Sequence, residues 1–306
     1  MITMNRRRFL TAVGAAVIAP RRPAWAQVPA VPPATAPAQA PRLRVCDLVE
    51  LGRTGIRASR LAIGTGTRAG REQRELGEQG LIRLLRHALD QGVQWWDTAD
   101  LYKTQTLMRA ALREIPRDRV TITSKTSARD AAGIKADIER FRRELGTDYI
   151  DILLLHCLTD GDWPDKMRPA MEALSQARAA GHVRAVGCSC HTFEALTAAM
   201  NEPWVEVNLA RFNPFARVMD VAKPEEVPRV AGVLAEMHRR GKVVYGMKIL
   251  GEGALQGDDI DRSLRFALAQ PWLSGFTIGF SSPAQIDDIA RRVEAVDIRR
   301  PASLPA

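Results

Sequence analysis

The sequence predicts one large α/β domain, a closed (β/α)8 TIM barrel preceded by a β-hairpin, after an N-terminal leader and linker. About 265 of the 306 residues follow position 41, and a barrel of this type typically needs about 250. Short apolar runs alternate with amphipathic helical patterns eight times along this part of the chain. Because strand–helix alternation favours a parallel sheet, eight repeats indicate a closed barrel rather than an open doubly wound sheet.

The leader resembles a targeting segment. The motif Asn5–Leu10 contains three consecutive arginines and precedes an apolar stretch at 9–19 that is too short to span a bilayer. Ala24-Trp25-Ala26 then offers a small-x-small cleavage site. These features predict a twin-arginine signal peptide at 1–26, export by the twin-arginine machinery and a periplasmic location. A basic disordered tail is the alternative.

Charge and composition separate the leader from the domain. The leader holds five arginines and no acid, so its removal takes the formal net charge from +9 to +4. That charge gives no reason to expect a nucleic-acid partner. Residues 27–41 hold five prolines and no charge, which predicts an extended Pro/Ala-rich linker over 27–44. The folded domain is predicted at 45–300, with no run long enough for a membrane anchor in the mature form.

The elements of the domain follow in order. Residues 46–60 predict a hairpin, because turn-forming residues at 53–55 separate two short strand patterns. The candidate barrel strands are 60–65, 93–97, 119–124, 149–155, 183–188, 204–208, 242–247 and 273–278. Helical periodicity lies between them, as at 227–241, where the pattern ends in Gly241.

Three of these strands end on ionisable residues. Asp97 closes the second strand and Tyr102 follows it, Lys125 closes the third, and His156 closes the fourth. Barrel enzymes build their sites at the C-terminal ends of strands, and these strands are neighbours. Taken singly, the residues could be a helix cap, a surface lysine and a satisfied core histidine. Together they favour one catalytic cluster.

The residue types in this cluster suit carbonyl reduction. A free tyrosine titrates near pH 10, and a neighbouring ammonium is expected to lower that pKa. We therefore expect Lys125 to lower the pKa of Tyr102, while Asp97 holds Lys125 in place. A neutral His156 can hydrogen-bond a carbonyl oxygen as charge develops on it. The cluster then needs only a hydride donor.

The motifs, in this order, resemble the aldo-keto reductases over about residues 48–295. They are LGRTGIRASRLAIGTG at 51–66, DTADLY at 97–102, SK at 124–125, LLLH at 153–156, GCSCH at 187–191 and IGFSSPAQIDDI at 278–289. The resemblance implies an NAD(P)H-dependent oxidoreductase that reduces a small aldehyde or ketone to an alcohol, or the reverse, with Tyr102 as proton donor. It also implies that the hairpin is a cap on the bottom of the barrel.

The same resemblance places the cofactor, NADP or NAD. No GxGxxG motif follows a strand, which argues against a Rossmann domain. Instead, the nicotinamide is expected across the barrel mouth and the phosphates over the loops after strands seven and eight. The implied cofactor-binding residues are Ser189, Cys190, Met247, Lys248, Gly251, Gly253, Ser281, Ser282 and Gln285.

Several of these positions depart from the family pattern. Cys190 stands where asparagine is usual, and Leu209 where glutamine is usual. Met247 replaces a tyrosine that stacks on the nicotinamide, and a thioether can also pack against an aromatic ring. Residues 279–285 contain no cation, and Gln285 replaces a frequent phosphate-binding arginine. We therefore expect weak or reversed selectivity for NADPH over NADH.

The sequence is compatible with two other functions. The substituted contacts are compatible with a binding protein on the same scaffold that turns over slowly. The cluster of Cys157, Cys188, Cys190, His156 and His191 could bind zinc, but it lacks CxxC spacing, so no metal ligand is predicted. Trp163, after strand four, is a candidate for an apolar wall of the substrate site.

Overall fold

The computed structural model describes residues 42–298. The predicted signal peptide and most of the predicted linker lie outside these residues. Among the described residues, no helix is long and apolar enough to cross a membrane.

The hairpin comes first, as predicted. Strands β1 (Leu48–Glu50) and β2 (Arg57–Ser59) pair antiparallel. Between them, Gly52 has a φ of +53°, and a Cβ there would lie 2.9 Å from the Val243 side chain. The hairpin thus lies close against the start of the barrel strand that contains Val243, and its Leu51 and Ile56 are fully buried. This confirms the expected cap on the barrel bottom.

Eight parallel strands then close the barrel, which confirms the predicted fold class. They are β3 (Leu61–Gly64), β4 (Trp95–Asp97), β5 (Thr121–Thr126), β6 (Ile150–Leu158), β7 (Val183–Cys190), β8 (Val207–Arg211), β9 (Val243–Met247) and β10 (Gly275–Gly279). β10 pairs with β3 to complete the circle. Several predicted strands lie one to three residues too early in the chain, so Lys125 sits within β5 rather than beyond it.

Helices surround this barrel. They are α1 (Arg71–Glu75), α2 (Gly77–Asp90), α3 (Gln105–Leu112), α4 (Ala131–Leu145), α5 (Trp163–Lys166), α6 (Arg168–Ala179), α7 (Phe193–Asn201), α8 (Val227–Arg239), α9 (Asp258–Leu268) and α10 (Pro283–Ala295). Their apolar faces pack on the outside of the strands and form the larger hydrophobic cluster. A smaller cluster fills the barrel interior.

Successive side chains along each barrel strand point alternately to the interior cluster and to the outer cluster, and this alternation places the site residues. In β6, Ile152 and Leu154 face the interior, whereas Leu153 and Leu155 face the helices. Both faces are therefore buried, which explains the nearly continuous apolar run in the sequence. His156 continues the interior series of β6. Asp97 follows Trp95 and Met247 follows Tyr245 in the same way, so the functional side chains converge at one end of the barrel.

Candidate active site

A buried ion pair lies at the bottom of the site. Lys125 Nζ donates to Asp97 Oδ1 at 2.7 Å and to the Thr98 carbonyl at 2.8 Å. The two side chains are 1% and 4% exposed. Since an unpaired charge at this depth would be strongly destabilising, each group holds the other in position. The predicted Asp97–Lys125 contact is thus present.

Tyr245 also lies at the bottom of the site, in contact with this ion pair, and the sequence did not predict it. Its hydroxyl donates to Asp97 Oδ2 at 3.1 Å, so both carboxylate oxygens have a donor. The ring is fully buried and lies 4.6 Å from the Trp95 ring, centroid to centroid. The sequence did contain a signal, because Tyr245 precedes Met247 by two residues and must share its interior face.

Tyr102 lies over the ion pair. A 3-10 helix at Asp100–Tyr102 brings the phenol ring back over the barrel mouth, 5.0 Å from Lys125 Nζ to the ring centroid. The ring packs against the backbone of Gly66, where a Cβ would come within 2.5 Å of two ring carbons. Gly66 is therefore required for this placement. Arg74 Nη1 also donates to the Tyr102 carbonyl at 2.5 Å.

The titration of Tyr102 differs from expectation. Burial raises the pKa of the Tyr102 phenol well above its ordinary value near 10, and the Asp97 carboxylate raises it further. The prediction that Lys125 lowers this pKa is therefore wrong in its net direction. The reason is that burial disfavours the charged phenolate, and the nearby Asp97 carboxylate disfavours it further. Tyr102 consequently stays protonated at neutral pH.

His156 faces Tyr102 from the neighbouring side. The two rings meet edge to face with their centroids 5.7 Å apart. Burial, followed by the charge of Lys125, lowers the pKa of His156 to about 2, so the imidazole is neutral. This agrees with the neutral imidazole expected from the sequence.

A bulge near the end of β6 sets the position of His156. The strand register shifts between Leu155 and Leu158, and Cys157 adopts a φ of +57°, which is unusual for a residue with a side chain. The Cys157 amide donates to Ser189 Oγ at 3.1 Å, and Arg129 Nη2 donates to the His156 carbonyl at 2.6 Å. These contacts support the strained segment from both sides.

A groove of about 680 Å³ runs from Asp97 and Tyr102 toward β10 and α10. Met247, Lys248, Gly253 and Gln285 line it, as do Leu209 and Gly66. Gly251 lies in the adjoining 3-10 turn, and Ser189 is buried beside the barrel mouth. Four of the nine predicted cofactor positions therefore line one continuous groove.

Two predicted contacts are not placed as expected. The Cys190 thiol points away from the barrel interior, is fully buried, and donates to the Ala195 carbonyl at 3.4 Å. Alternation explains this, because Ser189 faces inward and its neighbour must face the helices. Trp163 is also buried and donates to the same Ala195 carbonyl at 3.1 Å. Cys190 as a cofactor contact and Trp163 as a substrate wall are therefore wrong.

The loop after β10 is already hydrogen-bonded internally. Gln285 Oε1 accepts from the Ser281 amide at 2.8 Å and lies 3.2 Å from the Ser281 hydroxyl. Ser282 stands at the N-cap of α10 without a side-chain capping bond. A phosphate bound here by Ser281 would have to replace the bond to Gln285.

Charged residues of the groove were also missed. Arg68 and Glu72, from the segment after β3, line the groove and pair at 3.3 Å. Lys248 pairs with Glu252 at 3.0 Å. Each cation of the groove thus has a carboxylate beside it. No motif marked Arg68, because its role depends on how the β3–α1 segment folds over the barrel.

The four cysteines are free thiols. The Cys188 and Cys190 sulfurs lie 3.8 Å apart, and Cys157 Sγ lies 3.5 Å from His191 Nε2. Across residues 42–298, no group of three or more His, Cys, Asp or Glu side chains is arranged to hold a metal ion.

Comparison with known proteins identifies the family. A model of the Aldo/keto reductase family matches residues 60–263, more than half of the chain. The chain belongs to this family. The matched span includes Asp97, Tyr102, Lys125 and His156, and it ends before β10.

Two curated members of the family are similar over part of their length. Aldo-keto reductase YhdN of Bacillus subtilis is 28% identical over 191 residues, which are 57% of this chain and 56% of YhdN. Methylglyoxal reductase DkgB of Salmonella typhi is 28% identical over 158 residues, which are 48% of this chain and 59% of DkgB. The chain therefore spans less than two thirds of the length of either relative.

Solved structures of the family share the fold. An aldo-keto reductase from Bacillus halodurans, in its holo form, matches with a TM-score of 0.68 at 20% identity, covering 84% of this chain and 97% of that one. A glycerol dehydrogenase from Gluconobacter oxydans matches with a TM-score of 0.63 at 17% identity, covering 80% and 89%. At these identities, the likeness concerns the barrel architecture alone.

Proposed function

We propose that the protein is an NAD(P)H-dependent oxidoreductase that reduces an aldehyde or ketone to an alcohol, or catalyses the reverse reaction. One observation carries the proposal: Tyr102 lies over the buried Asp97–Lys125 pair and faces a neutral His156 at the end of a long groove. A protonated donor, a fixed ammonium and an uncharged imidazole are the groups that carbonyl reduction uses.

The groove fits a nicotinamide dinucleotide. Its volume of about 680 Å³ lies within the usual range for cofactor sites, and its lining combines apolar and charged groups. Met247 would pack against the nicotinamide ring, while Lys248 and the Gly251–Gly253 turn would face the phosphates. When bound, the cofactor supplies a hydride to the carbonyl carbon. Paired cations and the absence of a cation in 279–285 support weak selectivity between NADP and NAD.

The side chains would then move one proton. The Tyr102 hydroxyl gives its proton to the substrate oxygen, and its raised pKa keeps that proton available throughout the neutral range. His156 donates an N–H to the same oxygen without adding a charge. The Lys125 ammonium, 5.0 Å from the ring centroid, stabilises the phenolate that remains. Solvent returns a proton to Tyr102 after product leaves.

Turnover measurements with variants of two tyrosines test this proposal. Loss of NADH and NADPH absorbance is followed with a panel of aldehydes and ketones for the wild type, Tyr102→Phe and Tyr149→Phe. We expect Tyr102→Phe to lose at least about 100-fold in kcat, the range of a general acid. Tyr149→Phe should match the wild type, because this tyrosine lies by Arg117, away from the site. Binding of the cofactor without turnover of any carbonyl would indicate a binding protein instead.

We also propose that residues 1–26 direct export to the periplasm by the twin-arginine route. The motif Asn5–Leu10, the short apolar stretch and the Ala24-Trp25-Ala26 site support this. Cell fractionation of an Arg6→Lys/Arg7→Lys variant should find the protein retained in the cytoplasm. An Arg21→Lys/Arg22→Lys variant is the matched control. Equal export of both variants would contradict the proposal.

A further inference from the structure

The His156 side of the barrel mouth carries several cations. Four of them act electrostatically on the Cys157 thiol beside His156: Lys125, Arg129, Arg211 and Lys248. Three of the four have a carboxylate partner, and these pairs are Lys125–Asp97 at 2.7 Å, Arg211–Asp220 at 2.6 Å and Lys248–Glu252 at 3.0 Å. Of these four cations, Arg129 is the one without a carboxylate partner among the described residues.

Arg129 makes only backbone contacts in the described part of the chain. Its Nη2 donates to the His156 carbonyl at 2.6 Å and its Nη1 to the Ala128 carbonyl at 3.2 Å. Between residues 42 and 298, no carboxylate lies within 4.0 Å of its guanidinium. A guanidinium has five N–H donors, so most of them remain available.

Two acids of this region, the sequence neighbour of Arg129 and the carboxylate that acts on His156, are engaged elsewhere. Asp130, the next residue, caps α4 by accepting from the Gly133 amide at 2.9 Å. Asp100, which acts electrostatically on His156, is bound by Lys103 at 2.9 Å and by Arg140 at 2.9 Å. The positive charge of Arg129 is thus left uncompensated beside His156.

None of the Arg129 nitrogens is both buried and without a partner, so the N–H groups that bind no backbone carbonyl are open to solvent and an anion can reach them. Arg129 is partly buried, and a partly desolvated guanidinium normally has a carboxylate or phosphate partner. Arg129 does not line the cofactor groove, so the cofactor phosphates are not that partner. It adjoins His156, where the substrate carbonyl would lie, so the missing anion would arrive with the substrate.

We propose that Arg129 binds an anionic group of the substrate, and that the substrate is therefore a carbonyl compound bearing one such group, a carboxylate or a phosphate. The proposal rests on the reductase function proposed above and specifies its substrate class. The guanidinium suits either group because both accept two parallel N–H donors.

Matched pairs of substrates test the proposal. kcat/KM is measured for 4-carboxybenzaldehyde against its methyl ester, and for glyceraldehyde 3-phosphate against glyceraldehyde. The wild type should favour the charged member by about 10- to 100-fold, the range of one charge-assisted contact. The first pair reports a carboxylate and the second a phosphate.

Three variants separate binding of the anion from support of His156. Arg129→Met should abolish the preference through a higher KM for the charged member, whereas Arg129→Lys should keep part of it. A purely structural role would lower kcat/KM equally for both members of a pair. Arg143→Met, an exposed arginine on α4, is the control and should behave as the wild type. An unchanged ratio in Arg129→Met would overturn the proposal.

A binding measurement distinguishes this failure from failure of the reductase function. Calorimetry follows 4-(hydroxymethyl)benzoate and its methyl ester with the wild type and Arg129→Met. Arg129-dependent binding of the acid without turnover of any carbonyl would preserve the anion site and reject the reductase. Turnover of neutral aldehydes, with equal binding of acid and ester, would preserve the reductase and reject the anion site. Neither binding of the acid nor turnover would reject both.

Discussion

Tyr245→Phe removes a single hydroxyl from beneath the catalytic cluster. That hydroxyl donates to Asp97 Oδ2 at 3.1 Å, and burial raises the pKa of Tyr245 well above 10, so it acts as a donor whenever the protein is folded. The ring, which packs 4.6 Å from Trp95, is kept by phenylalanine. The change therefore isolates one hydrogen bond to a buried carboxylate.

The expected size follows from that bond. A hydrogen bond to a charged group contributes about 1.5–3 kcal/mol, and the remaining Asp97 oxygen would stay buried without a donor. For a domain of this size, each kcal/mol shifts Tm by about 2–4 °C, so Tm should fall by about 3–12 °C. Because Asp97 positions Lys125, kcat should also fall, by about 10-fold, with little change in the KM for NAD(P)H.

Denaturant unfolding and steady-state kinetics check both parts. Tyr149→Phe is the matched control, since it removes a hydroxyl from a partly exposed ring that is stacked by Arg117 at 4.1 Å. A Tyr245→Phe protein within about 0.5 kcal/mol of the wild type, with unchanged kcat, would refute a positioning role for Tyr245.

Three further predictions concern Tyr102 and His156. Gly66→Ala should lower kcat/KM by about 100-fold while circular dichroism melts stay close to wild type, because its Cβ would overlap the Tyr102 ring at 2.5 Å. The reduction rate should not decrease with rising pH below pH 10, because Tyr102, whose pKa is raised, stays protonated there. A decrease in rate with its midpoint near pH 8 would contradict this. The pKa of His156 is about 2 when folded and 6.5 when unfolded, so stability falls as pH drops below 6.5. At pH 5 this loss of unfolding free energy amounts to about 2 kcal/mol. Urea unfolding at pH 8 and pH 5 should therefore show a decrease in stability that is about 2 kcal/mol smaller in His156→Gln than in the wild type.

Strand alternation made much of the fold predictable. Both faces of each barrel strand are buried, so β6 and its neighbours stand out as apolar runs, and the polar residues that end them mark the barrel mouth. Strand limits were less accurate, because the bulge at Cys157 extends β6 in a way that no residue type signals.

The site was predictable where side-chain type and strand position suffice. Asp97 and Lys125 pair as expected from their places on adjacent strands. The direction of the Tyr102 pKa was not predictable, because it depends on how deeply the phenol is buried and on its distance from the Asp97 carboxylate. Arg129 was missed for a similar reason: its importance comes from lacking a carboxylate partner among the described residues, which only side-chain positions reveal.

Transfer of deuterium from a reduced cofactor that carries deuterium in place of both hydrogens at the nicotinamide C4 tests the central claim most directly. The alcohol product is isolated after reaction with the wild type and with Tyr102→Phe, and deuterium at the carbinol carbon is measured by mass spectrometry and NMR. We predict one deuterium per product molecule with the wild type, formed at least about 100-fold more slowly by Tyr102→Phe. Product that lacks deuterium, or labelled product formed equally fast by both proteins, would contradict hydride transfer with Tyr102 as proton donor.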